Sequence, residues 1–268
     1  MFFKKYRRTK AAGAGSETSE LFYTTLEKVE SIRQYTEHRN NSTISDTIAV
    51  YDFAIRAIAK DMAADSACQL FRGTHCPYSR DYLIPFLLQG EVKNIEFGRN
   101  EVIAPVWSID RWSGAVSTVM QSGFRQSFDN YTGYLYKELN LIIITNGLHH
   151  TSIASLMNTG SATLSVVHLS DYFRRLQVDG TRWSYATETG TLTAPVRDYR
   201  SAVLYELAKR RAKIAGKAEL VLPEDEDIPH EQDKLYDQLL SAQNKVRYWK
   251  KECELLNAKL DMSQQENN

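Results

Sequence analysis

Three shortages define this chain before any motif does: it has no net charge, no long apolar run and few cysteines. Its 33 Lys+Arg are matched by 33 Asp+Glu, so the formal charge is zero. A protein coated for nucleic acid carries a basic excess, so net charge does not indicate nucleic acid as a partner. The longest apolar runs, such as Leu141–Ile144, fall far short of the ~20 residues that span a bilayer. The opening MFFKKYRRTK is basic with no apolar stretch behind it, unlike a secretory signal. No membrane partner is expected, and the expected location is cytoplasmic. Cys68, Cys76 and Cys253 are odd in number and far apart, which argues against a disulfide framework. His75-Cys76 has no second pair at ligand spacing, so no metal site is expected.

What remains has the composition of a globular protein. Hydrophobic residues make up 43% and charged residues 25% of the 268, close to globular averages. A wholly disordered chain is excluded, since disorder goes with low hydrophobicity and high net charge. The length suits one or two domains.

Charge and periodicity divide the chain. Residues 1–17 carry Lys4, Lys5, Arg7, Arg8 and Lys10 with no acid before Glu17, followed by the small residues AAGAGS. They read as a disordered basic arm, either a solvated tail or a contact for a polyanion. Residues 18–91 read as a helical layer. Leu21, Phe22, Leu26, Val29, Ile32 and Tyr35 recur at helical steps, and Asn40-Asn41-Ser42 breaks the helix. A second helix is expected from about Ser45 to Ala64, with Ile48, Phe53, Ile55, Ile58, Ala59 and Met62 near one face. A separate apolar segment follows at Cys68–Leu70, then a helix near Arg80–Gln89 stopped by Gly90.

Residues 92–222 read as an α/β core with a closing helix. Strands are expected at Val92–Phe97, at Val102–Trp107 and over the extended, aromatic Tyr131–Tyr136. Ser108 is placed to cap a helix built on Ile109, Trp112, Val116, Val119 and Met120. Leu139–Thr145 is the strongest strand, apolar enough to be buried on both faces. A turn at Asn146-Gly147, a helix from His149 to Met157 and a strand at Thr163–Leu169 complete a strand–helix–strand unit of βαβ length. Trp183–Thr193 suggests a hairpin with Gly190 at its turn. Pro195 is expected to open the closing helix, which ends in Lys209, Arg210, Arg211 and Lys213. Residues 223–232, with Glu224–Asp227, form an acidic linker. Residues 233–268 carry a coiled-coil pattern: Leu239, Val246, Cys253 and Leu260 at a positions, Leu235, Ala242, Trp249 and Leu256 at d positions. The tail either joins copies into a homo-oligomer or docks as a lone helix. The expected fold class is therefore α+β, an N-terminal helical layer on a small mixed sheet followed by a coiled-coil helix.

The most informative stretch is Asn146-Gly147-Leu148-His149-His150-Thr151, between a buried strand and a helix. Free N–H groups at a helix start attract anions, and glycine lets the backbone approach a phosphate. Imidazoles placed there can donate to phosphate oxygens or exchange protons. His149 and His150 are the candidates for any acid–base step. The bland alternative is that they cap or pack the helix. Asp110 and Arg111, in the first turn after Ser108, would join the same site if both helices start on one side of the sheet; otherwise they form a surface ion pair. His168 reads as a strand residue, Asp129-Asn130 as a turn, and Trp107, Trp112 and Trp183 as core.

The same stretch resembles the ParB/sulfiredoxin-like superfamily. Gly147 and His149 match the glycine and histidine of its Gly-x-His-Arg signature, Ala154 its small helical position, Gly160 its turn and Leu164–Val167 its returning strand. Ile103–Val106 resembles an early strand of that fold. The resemblance implies the superfamily's strand–helix–strand core and a nucleotide as the cofactor or ligand. His150 stands where the family has a phosphate-holding arginine, and Arg111 is the candidate replacement. Leu148 stands where sulfiredoxins have their catalytic cysteine and where chromosome-partitioning members often have an acid, so neither chemistry is implied. The whole chain also resembles a bacterial family of unknown function. Two functions follow: phosphate or nucleotide binding at Asn146–Thr151, with hydrolysis left open, or a non-enzymatic interaction protein that recruits partners through its tail. Deleting residues 233–268 is expected to lower the oligomeric state seen by light scattering; an intact chain that is already a monomer would end that expectation.

Overall fold

The computed structural model describes residues 14–39, 43–72, 83–85, 90–124, 132–188 and 190–216. The basic arm up to residue 13, most of the helix expected at 80–89, Cys76, Asp129-Asn130, the acidic linker and the coiled-coil tail lie outside the described residues. The architecture is α+β, with an N-terminal helical region and a mixed sheet.

Helix α1 (Ala14–Glu37) begins inside the segment expected to be the arm. It buries Phe22, Leu26 and Val29, while Ile32 and Tyr35 are 54% and 66% exposed. The sequence pattern had merged two stripes of the helix into one. Helix α2 (Ile44–Arg72) opens with a reciprocal cap. The Asp46 N–H donates to Thr43 Oγ1 at 3.2 Å, and the Thr43 N–H donates to Asp46 Oδ2 at 2.7 Å. Its buried stripe is Thr47, Tyr51, Ala54, Ile55, Ala59, Met62 and Ser66. Phe53, expected near that face, is 75% exposed; it lies roughly 200° round the helix from Tyr51. The helix also continues to Arg72, so Cys68–Leu70 is its last part rather than a separate segment, and Cys68 is exposed.

The larger sheet contains β1 (Val92–Glu96), β2 (Glu101–Ile103), β3 (Thr132–Tyr136), β4 (Leu141–Asn146) and β5 (Ser161–Val167), in the order β1-β5-β3-β4-β2. Pairs β2·β4 and β3·β5 are parallel, and β1·β5 and β3·β4 are antiparallel. Between β2 and β3 runs α3 (Ile109–Ser122), and between β4 and β5 runs α4 (Leu148–Leu156). β4 is buried on both faces, as its four aliphatics require: Leu141, Ile142, Ile143 and Ile144 are all at most 2% exposed. Ile142 and Ile144 join Val102, Ala162, Leu164 and, from α4, Leu148 and Ala154 in one cluster. Leu141 and Ile143 point to the opposite face.

The expected βαβ unit is corrected here. β5 does not pair with β4; β3 lies between them, and β5 runs antiparallel to β4. Length alone could not separate a parallel crossover from this arrangement. Gly90, expected to stop a helix, follows residues outside the described ones, and what the structure shows of it concerns the sheet. A Cβ there would lie 1.8 Å from the Val166 carbonyl oxygen, so glycine is needed for the close approach that lets Val166 N–H donate to Glu91 O at 2.7 Å. His168 lies just past the end of β5, with Nδ1 3.9 Å from Glu138.

A three-stranded sheet follows, β6 (Leu176–Val178), β7 (Arg182–Ala186) and β8 (Thr191–Pro195), in that order. Pro195 thus ends a strand. The closing helix α5 (Tyr199–Ile214) starts later, at Asp198, whose carboxylate accepts the Arg200 N–H at 2.8 Å. The chain divides into two compact units. Residues 1–184 with 193–221 hold all five helices and the five-stranded sheet. Residues 185–192 with 222–268 form the other, whose described part is a hairpin turn in which Thr187 N–H donates to Gly190 O at 2.8 Å.

Helices α1, α2 and α5 pack on one another, and α2 packs on β2. Their apolar contacts are reinforced by ion pairs. Arg200, with its side chain 14% exposed, bonds Asp198 at 2.8 Å and Asp65 at 2.9 Å and also reaches Asp61. Arg211 pairs with Asp52. The Tyr51 hydroxyl donates to Glu30 at 3.1 Å, and burial beside that carboxylate pushes the phenol up to about 12. Replacing Arg200→Met leaves three carboxylates without their cation. We expect a loss of about 2–3 kcal/mol at pH 7 in urea denaturation.

Candidate functional site

β2 and β4 are parallel neighbours, with Glu101 opposite Leu141 and Ile103 opposite Ile143. Their carboxyl ends therefore share one edge of the sheet, and the helices that follow them both start there. Helices α3 and α4 pack together. This meets the condition for Arg111 and the Asn146–His150 turn to share a site.

The two helix starts are built differently. Ser108 caps α3, its Oγ accepting the Arg111 N–H at 3.4 Å. α4 starts on Gly147 in the left-handed region (φ 80°), with no side-chain cap. Such a φ favours glycine, and the missing cap leaves first-turn N–H groups without a side-chain acceptor. Gly147 O accepts both the Thr151 N–H at 3.2 Å and the Thr151 hydroxyl at 2.9 Å. Thr151 is fully buried, and its hydroxyl bonds the helix's own backbone. Leu148 belongs to the core beneath α4. Asn146 and Asp110 are exposed, and Asn146 is the last residue of β4, opposite Thr132.

His149 and His150 diverge, as neighbours on a helix must. His150 is half-buried. His149 is 8% exposed, and its Nε2 is buried with no hydrogen-bond partner. The ring lies edge-to-face with Trp107, centroids 5.3 Å apart, and the Arg111 guanidinium sits 4.6 Å over the Trp107 ring. Burial, then the positive charges of Arg111 and His150, hold the His149 pKa below the ordinary 6.5. Its ring is neutral at pH 7.

Trp107 is the residue that sequence reading misplaced. It is 59% exposed and links Arg111 to His149, whereas Trp183 is 2% exposed and packs on Tyr205. Trp112 is half-buried against Phe71. The available signal was position: Trp107 directly precedes a helix cap, where a large side chain lies over the first turn. A cleft of about 710 Å³ lies elsewhere, past the carboxyl end of α4, lined by Asn94, Glu96, Phe124, Asn158, Gly160 and Thr163 among others. None of the sequence-nominated residues lines it.

A family model described as a family of unknown function (DUF6710) matches residues 7–215. The matched span runs from α1 through α5 and ends before the acidic linker and the heptads. No curated protein and no solved structure matches the chain. Among the described residues, no helix is long and apolar enough to cross a membrane.

An unpartnered buried ring nitrogen costs about 1–3 kcal/mol. His149→Leu is therefore expected to come within about 1 kcal/mol of wild-type stability, or to exceed it, in urea denaturation at pH 7.5. A histidine whose folded pKa is depressed makes the fold less stable as pH falls below about 6.5, the unfolded-state value. Wild type should thus lose more stability than His149→Leu between pH 7.5 and 5.5.

Proposed function

The chain belongs to a family of unknown function (DUF6710), and from that premise we propose that it binds a phosphate-bearing anion where α3 and α4 begin. The observation that carries this reading is the orphaned Nε2 of His149, more than nine-tenths buried at the start of a helix without a side-chain cap. Buried polar atoms find partners in folded proteins, and a ligand is the partner this one lacks. Two helix starts supply oriented N–H groups and positive dipole ends. Arg111, in the first turn of α3, is the candidate to replace the arginine that the resemblance to the ParB/sulfiredoxin-like core places at His150. That resemblance makes a nucleotide the first ligand to test. Trp107, exposed beside the ring, is a reporter of occupancy.

An interaction protein that assembles through residues 233–268 is the alternative, supported by the heptads alone. The two separate by calorimetry on the full chain with CTP, ATP and pyrophosphate. We expect binding, weakened about tenfold or more by Arg111→Ala and by His149→Ala, as the loss of a charge-assisted or buried contact requires. A wild type that binds none of the three, or variants that bind as well as wild type, would sink the anion site.

A further inference from the structure

The cleft at the far end of α4 has a polar floor set by strand register. In the antiparallel pair β1·β5, Asn94 lies opposite Thr163 and Glu96 opposite Ser161, and residues directly opposite in a ladder share a face. The alternate residues Ala162 and Leu164 are buried in the core, with Ile95 packed against them. Four polar side chains therefore stand in a square on the face turned away from that core. All four line the cleft of about 710 Å³.

The walls are fixed by backbone. Phe124 lies edge-to-face on the buried Phe97, centroids 5.2 Å apart. Gly160 makes room for it: at φ 89°, a Cβ there would lie 2.7 Å from Phe124 Cδ1. Asn158 stands just past α4 in the left-handed region, φ 52°. Its N–H donates to Ser155 O at 3.0 Å, and the Thr159 N–H donates to Ala154 O at 2.9 Å. Groups carried on a ladder and a closed helix end are positioned before a ligand arrives, which lowers the cost of binding.

The charge pattern narrows the ligand class. Glu96 is the one charged residue among the described residues that line the cleft, and the carboxyl end of α4 adds partial negative charge. Both disfavour an anion. Arg99 Nε lies 3.2 Å from the Glu96 carboxylate, so that charge is already answered and calls for no cation. What remains is the amides of Asn94 and Asn158 and the hydroxyls of Ser161 and Thr163, which donate and accept, beside one aromatic ring. The volume falls in the range of small-molecule pockets, roughly 300–1,000 Å³.

We propose that this cleft binds a neutral saccharide. Neighbouring sugar hydroxyls donate and accept in pairs, as the amides and the Glu96 carboxylate require, and the apolar C–H face of a sugar ring suits the Phe124 ring. The site is separate from the anion site: α4 starts at one and ends at the other.

The test is calorimetry on the full chain with glucose, galactose, mannose, N-acetylglucosamine, cellobiose and chitobiose, and with spermidine as a cationic control. We expect at least one saccharide to bind, and Asn94→Ala and Asn158→Gly each to weaken it about tenfold or more. Glycine suits the backbone at Asn158, and Asn94 is exposed on an edge strand, so both variants should keep the wild-type circular dichroism spectrum and melting temperature. Binding of no saccharide in the panel overturns the proposal, as does saccharide binding that both variants retain. Spermidine binding that Glu96→Gln abolishes, with no saccharide bound, assigns the cleft to a cation and also overturns it.

Discussion

Three residue pairs of parallel strand, β2 against β4, decide that two helices of this fold begin side by side. Because Glu101–Ile103 runs alongside Leu141–Ile143 in the same direction, the chain leaves both strands at one edge and enters α3 and α4 there. Had either strand been reversed, one of the two helices would start at the far edge, and Arg111 could not act on His149. The pairing is short but firmly seated. Val102, Ile142 and Ile144 share a cluster with α4 on one face, and Ile103, Leu141 and Ile143 are buried on the other. At ~25 cal/mol per Å² of apolar surface, burial of this kind, rather than the few ladder hydrogen bonds, keeps the edge strand in place.

The helices and most strands were legible in the sequence because their signals are local. Ser108 as a cap, the doubly buried β4, the Asn146-Gly147 turn and the hairpin around Gly190 all stand where a reading of neighbours puts them. What failed was non-local. Nothing within residues 139–169 tells that β3 slips between β4 and β5. The close approach of Val166 to Gly90 has no local signal either. Phe53 and Trp107 are exposed although hydrophobicity placed them inside. At the site the glycine and both histidines were found from the motif, whereas the exposed Trp107 beside His149 came only with the tertiary structure.

The same site shows a fold spending stability on a poised group. His149 could be apolar without disturbing the cluster beneath α4, since Leu148 and Ala154 already fill it. Instead an imidazole is buried, with its Nε2 left without a hydrogen-bond partner. Such conflicts between local comfort and retained chemistry are where sequence logic is expected to break at functional positions.

Arg200 reaches carboxylates on α2 that lie 135 and 139 residues earlier in the chain. That separation has a temporal meaning. At about 5–20 residues per second, synthesis leaves α2 waiting roughly 7–28 s for the helix that carries its cation. Through that interval the acidic rim of Asp52, Asp61 and Asp65 has no Arg200 or Arg211 to answer it, and like charges held along one helix disfavour premature collapse against the wrong surface. The pairs that join α2 to α5 are therefore among the last contacts that the growing chain can form.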